Sequence, residues 1–90
     1  MDVVIVTGAA GGIGSVYVEA LAEAGYGVVA ADLQPPEQLV ADIKVGGGTA
    51  LAVAVDVSDR ASTEAMAAKA EEAFGRIDGL VNTPPITAPS

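Results

Sequence analysis

Val3-Val4-Ile5-Val6-Thr7-Gly8-Ala9-Ala10-Gly11-Gly12-Ile13-Gly14 is the stretch whose reading decides the fold. Four β-branched residues in a row suit a parallel strand covered on both faces. The glycines that follow let the backbone bend back, so that a helix opening near Ile13 aims its N-terminus into the turn. The free N–H groups of that terminus, with its partial positive charge, favour a pyrophosphate. A strand, a glycine-rich turn and a helix in this order predict a dinucleotide-phosphate site.

Strand and helix signals alternate outward from this stretch to the other end of the chain. Ile13 to Ala24 has apolar residues at Ile13, Val16, Tyr17, Ala20, Leu21 and Ala24, a helical spacing that leaves Glu19 and Glu23 outside. Gly25 ends that helix. Gly27 to Ala31 is a second short apolar run closed by Asp32, and Pro35-Pro36 opens a helix ending near Lys44. After Gly46-Gly47-Gly48, Ala50 to Val55 reads as a third strand. Ser58 as N-cap and Asp59 as first-turn acid then open a helix running to about Phe74, with Met66, Ala70, Ala73 and Phe74 as its buried stripe. Gly75 ends it, and Ile77 to Asn82 is a fourth strand.

The order β-α-β-α-β-α-β predicts an α/β fold, a Rossmann-type doubly wound parallel sheet with strand order 3-2-1-4 and right-handed crossovers. The first two helices share one face and the third crosses to the other. The strand order reverses between strands 1 and 4, and a ligand crevice belongs over their C-terminal ends. Residues 1–82 form one dinucleotide-binding half-domain, and residues 83–90, with Pro84, Pro85 and Pro89, form an irregular tail that holds neither strand nor helix.

Composition narrows the function. Twelve acids against Lys44, Arg60, Lys69 and Arg76 give a net charge of -8, and the bases are scattered, which excludes nucleic acid and anionic membrane as partners. There is no cysteine and no histidine, so disulfides, thiolate catalysis, zinc-finger ligation and imidazole acid–base chemistry are out. No metal-ligand set is assigned. With no basic leader and no apolar stretch of membrane-spanning length, a soluble cytoplasmic protein is the expectation.

Asp32 stands at the end of strand 2, about 20 residues past the turn, where a carboxylate accepts from both ribose hydroxyls of an adenosine. A 2′-phosphate there would meet like charge. The next residue is Leu33 and the turn holds Ala10, so neither Arg nor Lys is placed to receive that phosphate. The combination predicts NAD in preference to NADP.

The spacing Thr7-Gly8-x-x-x-Gly12-x-Gly14 resembles the short-chain dehydrogenase/reductase family. Asp32, Asp56-Val57-Ser58 after strand 3, and Gly75-Arg76-Ile77-Asp78-Gly79-Leu80-Val81-Asn82 into strand 4 resemble it too, so the likeness covers residues 1–82. It implies that Gly8, Gly12, Ile13 and Gly14 hold the pyrophosphate and adenosine ribose of NAD, with Ser15 near the phosphate. It also implies that Asp32, with Leu33 beside it, takes the ribose hydroxyls. Asp56 would accept the adenine amino group while the Val57 backbone reads the ring edge, and Asn82 would lie along the cofactor. A second reading of Asp56, as a cap for the following helix, stays open, although Ser58 is better placed for it. Thr7 is read as tying the turn to neighbouring backbone, and Tyr17 as helix packing.

The pattern breaks where the family has Asn-Asn-Ala-Gly and this chain has Asn82-Thr83-Pro84-Pro85. The family's later Ser and Tyr-x-x-x-Lys are absent from these 90 residues, since the tyrosines are Tyr17 and Tyr26, with Leu21 and Ala30 four positions on. No catalytic residue is therefore assigned. The expectation is the NAD-binding portion of an oxidoreductase that transfers hydride between NAD and an alcohol or carbonyl in its parent enzyme. As a truncated chain it would not turn over alone. The alternatives are a noncatalytic dinucleotide-binding or subunit-pairing module, or a non-functional gene fragment. The coincidence of composition shift and lost match points to truncation or a frame change. An open strand-4 edge and a half-covered sheet face would invite self-association or a partner chain.

Overall fold

The structure, a computed structural model, describes residues 1–83; the Pro-rich segment 84–90 of the expected tail lies outside the described residues. Strand β1 (Val3–Thr7) is buried at all five positions, as a β-branched run flanked on both sides by strands must be. It pairs in parallel with β2 (Gly27–Asp32) and with β4 (Gly79–Asn82), and β2 pairs in parallel with β3 (Thr49–Ala54). The order is β3-β2-β1-β4, as the sequence predicts. Val3 stands opposite Gly27, and Ile5 opposite both Val29 and Leu80.

Period-2 alternation divides the side chains between two apolar layers. Val4, Val6, Val28, Ala30 and Ala50 face α1 (Gly12–Glu23) and α2 (Glu37–Val45), where Val18 and Val40 meet them. Val3, Ile5, Val29, Ala31 and Val53 face α3 (Arg60–Phe74), which contributes Met66 and Ala70. Leu80 lies on the α3 side of β4 and is 56% exposed, because α3 does not reach across that strand. No helix among the described residues is long and apolar enough to cross a membrane.

Three expectations for the helices need correction. The predicted inward stripe of α1 is rotated: Ile13, Val16 and Tyr17 are exposed, as are Ala20 and Ala24, while Gly14 and Val18 are buried and Leu21 and Ala22 partly so. This helix is apolar on most of its circumference, so periodicity alone could not choose its phase. Tyr17 accordingly does not pack on the sheet. The second correction concerns α3, whose N-cap is Asp59 and not Ser58; the Asp59 carboxylate accepts the Ala61 N–H at 3.0 Å. Lastly, Ala73 is exposed, and the buried stripe of α3 is Met66, Ala70 and the partly buried Phe74.

Strand β4 starts at Gly79, two residues later than predicted, because Asp78 is occupied in pinning the start of β1. Its carboxylate accepts the Val3 N–H at 2.7 Å, and its own N–H donates to the Val3 carbonyl at 2.8 Å. Arg76 donates to the same carboxylate through Nε at 2.8 Å and Nη2 at 2.7 Å. The Arg76 guanidinium first, and the Val3 amide second, hold the Asp78 carboxyl below its ordinary value. A depressed folded value means that this clamp stabilises the fold above the ordinary carboxylate value of 3.8 and is lost as pH falls through the lowered folded one. We therefore expect Asp78→Asn to lower the melting temperature at pH 7, and the gap from the native chain to close as the melts are repeated into acid. A gap that persists at low pH would show that the ionised carboxylate is not what matters.

Candidate functional site

The C-terminal ends of β1, β2, β3 and β4 open onto a crevice of about 370 Å³ lined by Thr7, Gly8, Asp32, Leu33, Val55, Asp56, Val57, Asn82 and Thr83. It lies at the reversal of strand order, where the sequence places it. On one side stands the turn from Gly8 to Gly11. Gly8 has φ +72°, a left-handed conformation that glycine adopts without strain. Its carbonyl accepts the Gly11 N–H at 3.1 Å, which closes the turn.

Gly14 decides how the helix meets this turn. A Cβ there would collide with the Gly8 carbonyl oxygen and come within 3.0 Å of the Ala9 Cα, so only hydrogen lets α1 rest on the backbone leaving β1. Gly12 differs, because a Cβ on it would meet nothing within 4 Å. The protein itself gives no steric reason for glycine at that position; the open space over it is where another molecule's atoms can approach the backbone closely. Gly11 is the N-cap, in extended conformation and with no side chain to cap the helix, and the first bond back to it comes from the Ser15 N–H at 2.9 Å. The N–H groups of Gly12, Ile13 and Gly14 thus have no intrahelical acceptor and remain for an anion. The Ser15 hydroxyl donates to the Gly12 carbonyl at 3.0 Å, on the first turn of the helix.

Carboxylates occupy the opposite side. Asp32 Oδ2 accepts the Ala10 N–H at 3.0 Å, so the acid at the end of β2 also holds the tip of the glycine turn. Its Oδ1 accepts from no donor among the described residues. Leu33 beside it is 69% exposed, and Val57, after β3, is 64% exposed. These two apolar side chains border the crevice without being buried by the protein. Asp56 forms a local turn in which Oδ1 accepts the Ser58 Oγ–H at 2.6 Å and the Ser58 N–H at 3.0 Å, and these bonds hold its carboxyl below the ordinary value. Asp56 does not cap α3; that task falls to Asp59.

At the end of β4, the Thr7 hydroxyl donates to Asn82 Oδ1 at 2.5 Å, so Thr7 ties β1 to a side chain and not to neighbouring backbone as predicted. Thr83 is buried; its N–H and its hydroxyl both donate to the Thr7 carbonyl, at 3.2 and 2.7 Å. Sequence reasoning placed Thr83 in an irregular tail, because a threonine before Pro84-Pro85 carries no signal of a buried role.

The family profile described as short chain dehydrogenase matches residues 2–89, continuing past Asn82, where the likeness was expected to end. The chain belongs to this family. It is 40% identical over 89 residues to 2,5-dichloro-2,5-cyclohexadiene-1,4-diol dehydrogenase LinX of Sphingobium indicum, covering 97% of this chain and 36% of that protein. A crystal structure of hydroxysteroid dehydrogenase from Escherichia coli superposes with a TM-score of 0.86 at 34% identity, covering 90% of this chain and 35% of that one. A short chain dehydrogenase/reductase from Burkholderia phymatum, crystallised in complex with NAD, gives a TM-score of 0.83 at 33% identity over 88% of this chain and 29% of its own. The chain spans about a third of the length of these relatives.

The two helical glycines separate steric need from open space. Gly14→Ala should cost about 3 kcal/mol in a denaturant melt, since rigid backbone must move to admit the methyl group. Gly12→Ala should fall within about 0.5 kcal/mol of the native chain, as at an ordinary surface position.

Proposed function

We propose that this chain is the NAD-binding portion of an oxidoreductase that transfers hydride between NAD and an alcohol or carbonyl compound. The observation that carries the reading is the division of the crevice into two chemistries. Helix N–H groups with no intrahelical acceptor, beside the open space over Gly12, suit a pyrophosphate, and the Asp32 carboxylate, whose Oδ1 is unengaged among the described residues, suits ribose hydroxyls. Membership of the family and the NAD complex of the Burkholderia phymatum relative support it.

In this reading Gly8, Gly12, Ile13 and Gly14 cradle the pyrophosphate, with the Ser15 hydroxyl close by. Asp32, with Leu33 beside it, receives the adenosine ribose, the Val57 backbone reads the edge of the adenine, and Asp56 keeps Oδ2 for its amino group. Asn82 lies toward the nicotinamide end. The bound dinucleotide supplies the hydride donor or acceptor; the residues described here bind and orient it. NAD is preferred over NADP because Asp32 repels a 2′-phosphate and the crevice is lined by no Lys or Arg among the described residues. Among the described residues no strand pairs with the outer side of β4, and Leu80 is exposed on the α3 face beside it, which supports self-association or a partner chain at that edge.

Titration calorimetry tests the reading. NAD should bind at least about tenfold more tightly than NADP, and Asp32→Ala should weaken NAD about tenfold or more, the loss of charge-assisted bonds to two hydroxyls. Equal affinities for the two dinucleotides in the native chain, or an Asp32→Ala chain that binds NAD unchanged, would refute the assigned role. Gly12→Ala adds a second arm: a chain that melts normally yet binds NAD weakly is the expected result, since its methyl group occupies the space above the helix N-terminus.

A further inference from the structure

We propose that Thr83 is a positioning residue for the phosphate-binding turn, acting through the Thr7 carbonyl and the backbone of Gly8. The inference rests on the dinucleotide reading above and goes beyond it, since Thr83 stands where the sequence departs from the family's Asn-Asn-Ala-Gly.

Three observations converge on this residue. Its N–H and hydroxyl both donate to one acceptor, the Thr7 carbonyl, at 3.2 and 2.7 Å. That carbonyl belongs to the last residue of β1, immediately before the backbone reverses at Gly8. Thr83 also occupies the space beside Gly8: a Cβ on Gly8 would collide with the Thr83 hydroxyl and lie 2.6 Å from the Thr83 carbonyl oxygen. The hydroxyl bond is buried, where a lost donor is not replaced by water.

From Thr83 the contacts run without a gap to the groups that would bind phosphate. Thr83 fixes the plane of the Thr7–Gly8 peptide. The Gly8 carbonyl in turn accepts the Gly11 N–H and lies against Gly14, whose N–H is one of those without an intrahelical acceptor. The turn is thus held at three points, at its tip by Asp32 on Ala10, on its β2 side by the Ala9 N–H on the Ala31 carbonyl at 3.1 Å, and at its root by Thr83 on Thr7. Removing the Thr83 hydroxyl leaves the tip anchored and the root held only by the longer Thr83 N–H bond, so that the Thr7–Gly8 peptide can tilt. Because the donor N–H groups lie on the phosphate side and Asp32 on the ribose side, the effect falls on phosphate recognition and not on the nucleoside.

The test compares Thr83→Val, Thr83→Ser and the native chain, measuring dissociation constants for ADP and for adenosine by calorimetric or ligand-observed titration, with melting curves alongside. We expect Thr83→Val to weaken ADP roughly three- to tenfold, the net worth of one buried hydrogen bond. Adenosine affinity should stay unchanged, and Thr83→Ser should restore ADP. If Thr83→Val no longer melts cooperatively, Thr83→Ala against Thr83→Ser gives the same comparison; if Thr83→Ala also fails to melt cooperatively, Thr83 is a folding residue and the proposal is overturned. Equal losses for ADP and adenosine, or a lower melting temperature with ADP binding intact, would reduce Thr83 to a structural residue and overturn the proposal. A native chain that binds neither ADP nor NAD would instead overturn the dinucleotide reading on which it rests.

Discussion

The close approach of Gly14 to the Gly8 carbonyl is the constraint on which the rest of the molecule depends. A helix packed on a sheet ordinarily keeps about 10 Å between the layers because side chains separate them. Here one backbone rests on another, and the contact point fixes the rotation of α1 about its own axis. With Gly14 turned to the sheet, positions four, seven and eight residues further on must follow it, and these are Val18, Leu21 and Ala22. The same contact sends Ile13, Val16 and Tyr17 outward. A constraint within the turn therefore decides which side chains build one of the two apolar layers.

A net charge of -8 does not by itself oppose the proposed anion site at the start of α1. Long-range repulsion is screened within about 8 Å at physiological ionic strength, whereas a helix terminus acts over its own first turn through N–H groups at bonding distance. The acids that border the crevice are kept apart from that terminus by function: Asp32 spends one oxygen on the turn, and Asp56 is engaged with Ser58. Both act as acceptors, which suits hydroxyl and amino donors.

Most of the fold was legible in the sequence because it is written in local terms. The β-branched run at Val3–Val6, the glycines after it and the alternation of segments give strand order 3-2-1-4 once right-handed crossovers are assumed. The phase of α1 was not legible. Its outer residues Ile13, Val16 and Tyr17 are as apolar as its inner ones, and only the backbone contact at Gly14 breaks the tie. The cap of α3 was missed by one residue because Ser58 and Asp59 are both good N-caps, and Ser58 is drawn into a bond with Asp56. In the candidate site, Asp32 and the glycines could be named from spacing, but not the bond from Ala10 to Asp32, which joins groups 22 residues apart. Thr83 and Asp78 lay beyond reach for the same reason, since each acts on β1 across 75 or more residues of chain.

The bond between the Ala10 amide and Asp32 has an entropic consequence. A glycine-rich turn has more conformations to lose than any other kind of segment, and ordering it upon ligand entry would subtract from affinity. Asp32 and Thr83 order it beforehand, at tip and root, while the chain folds. That conformational cost is met within the stability of the domain, so the loop that looks most flexible in the sequence is the part of the site already set in its receiving shape.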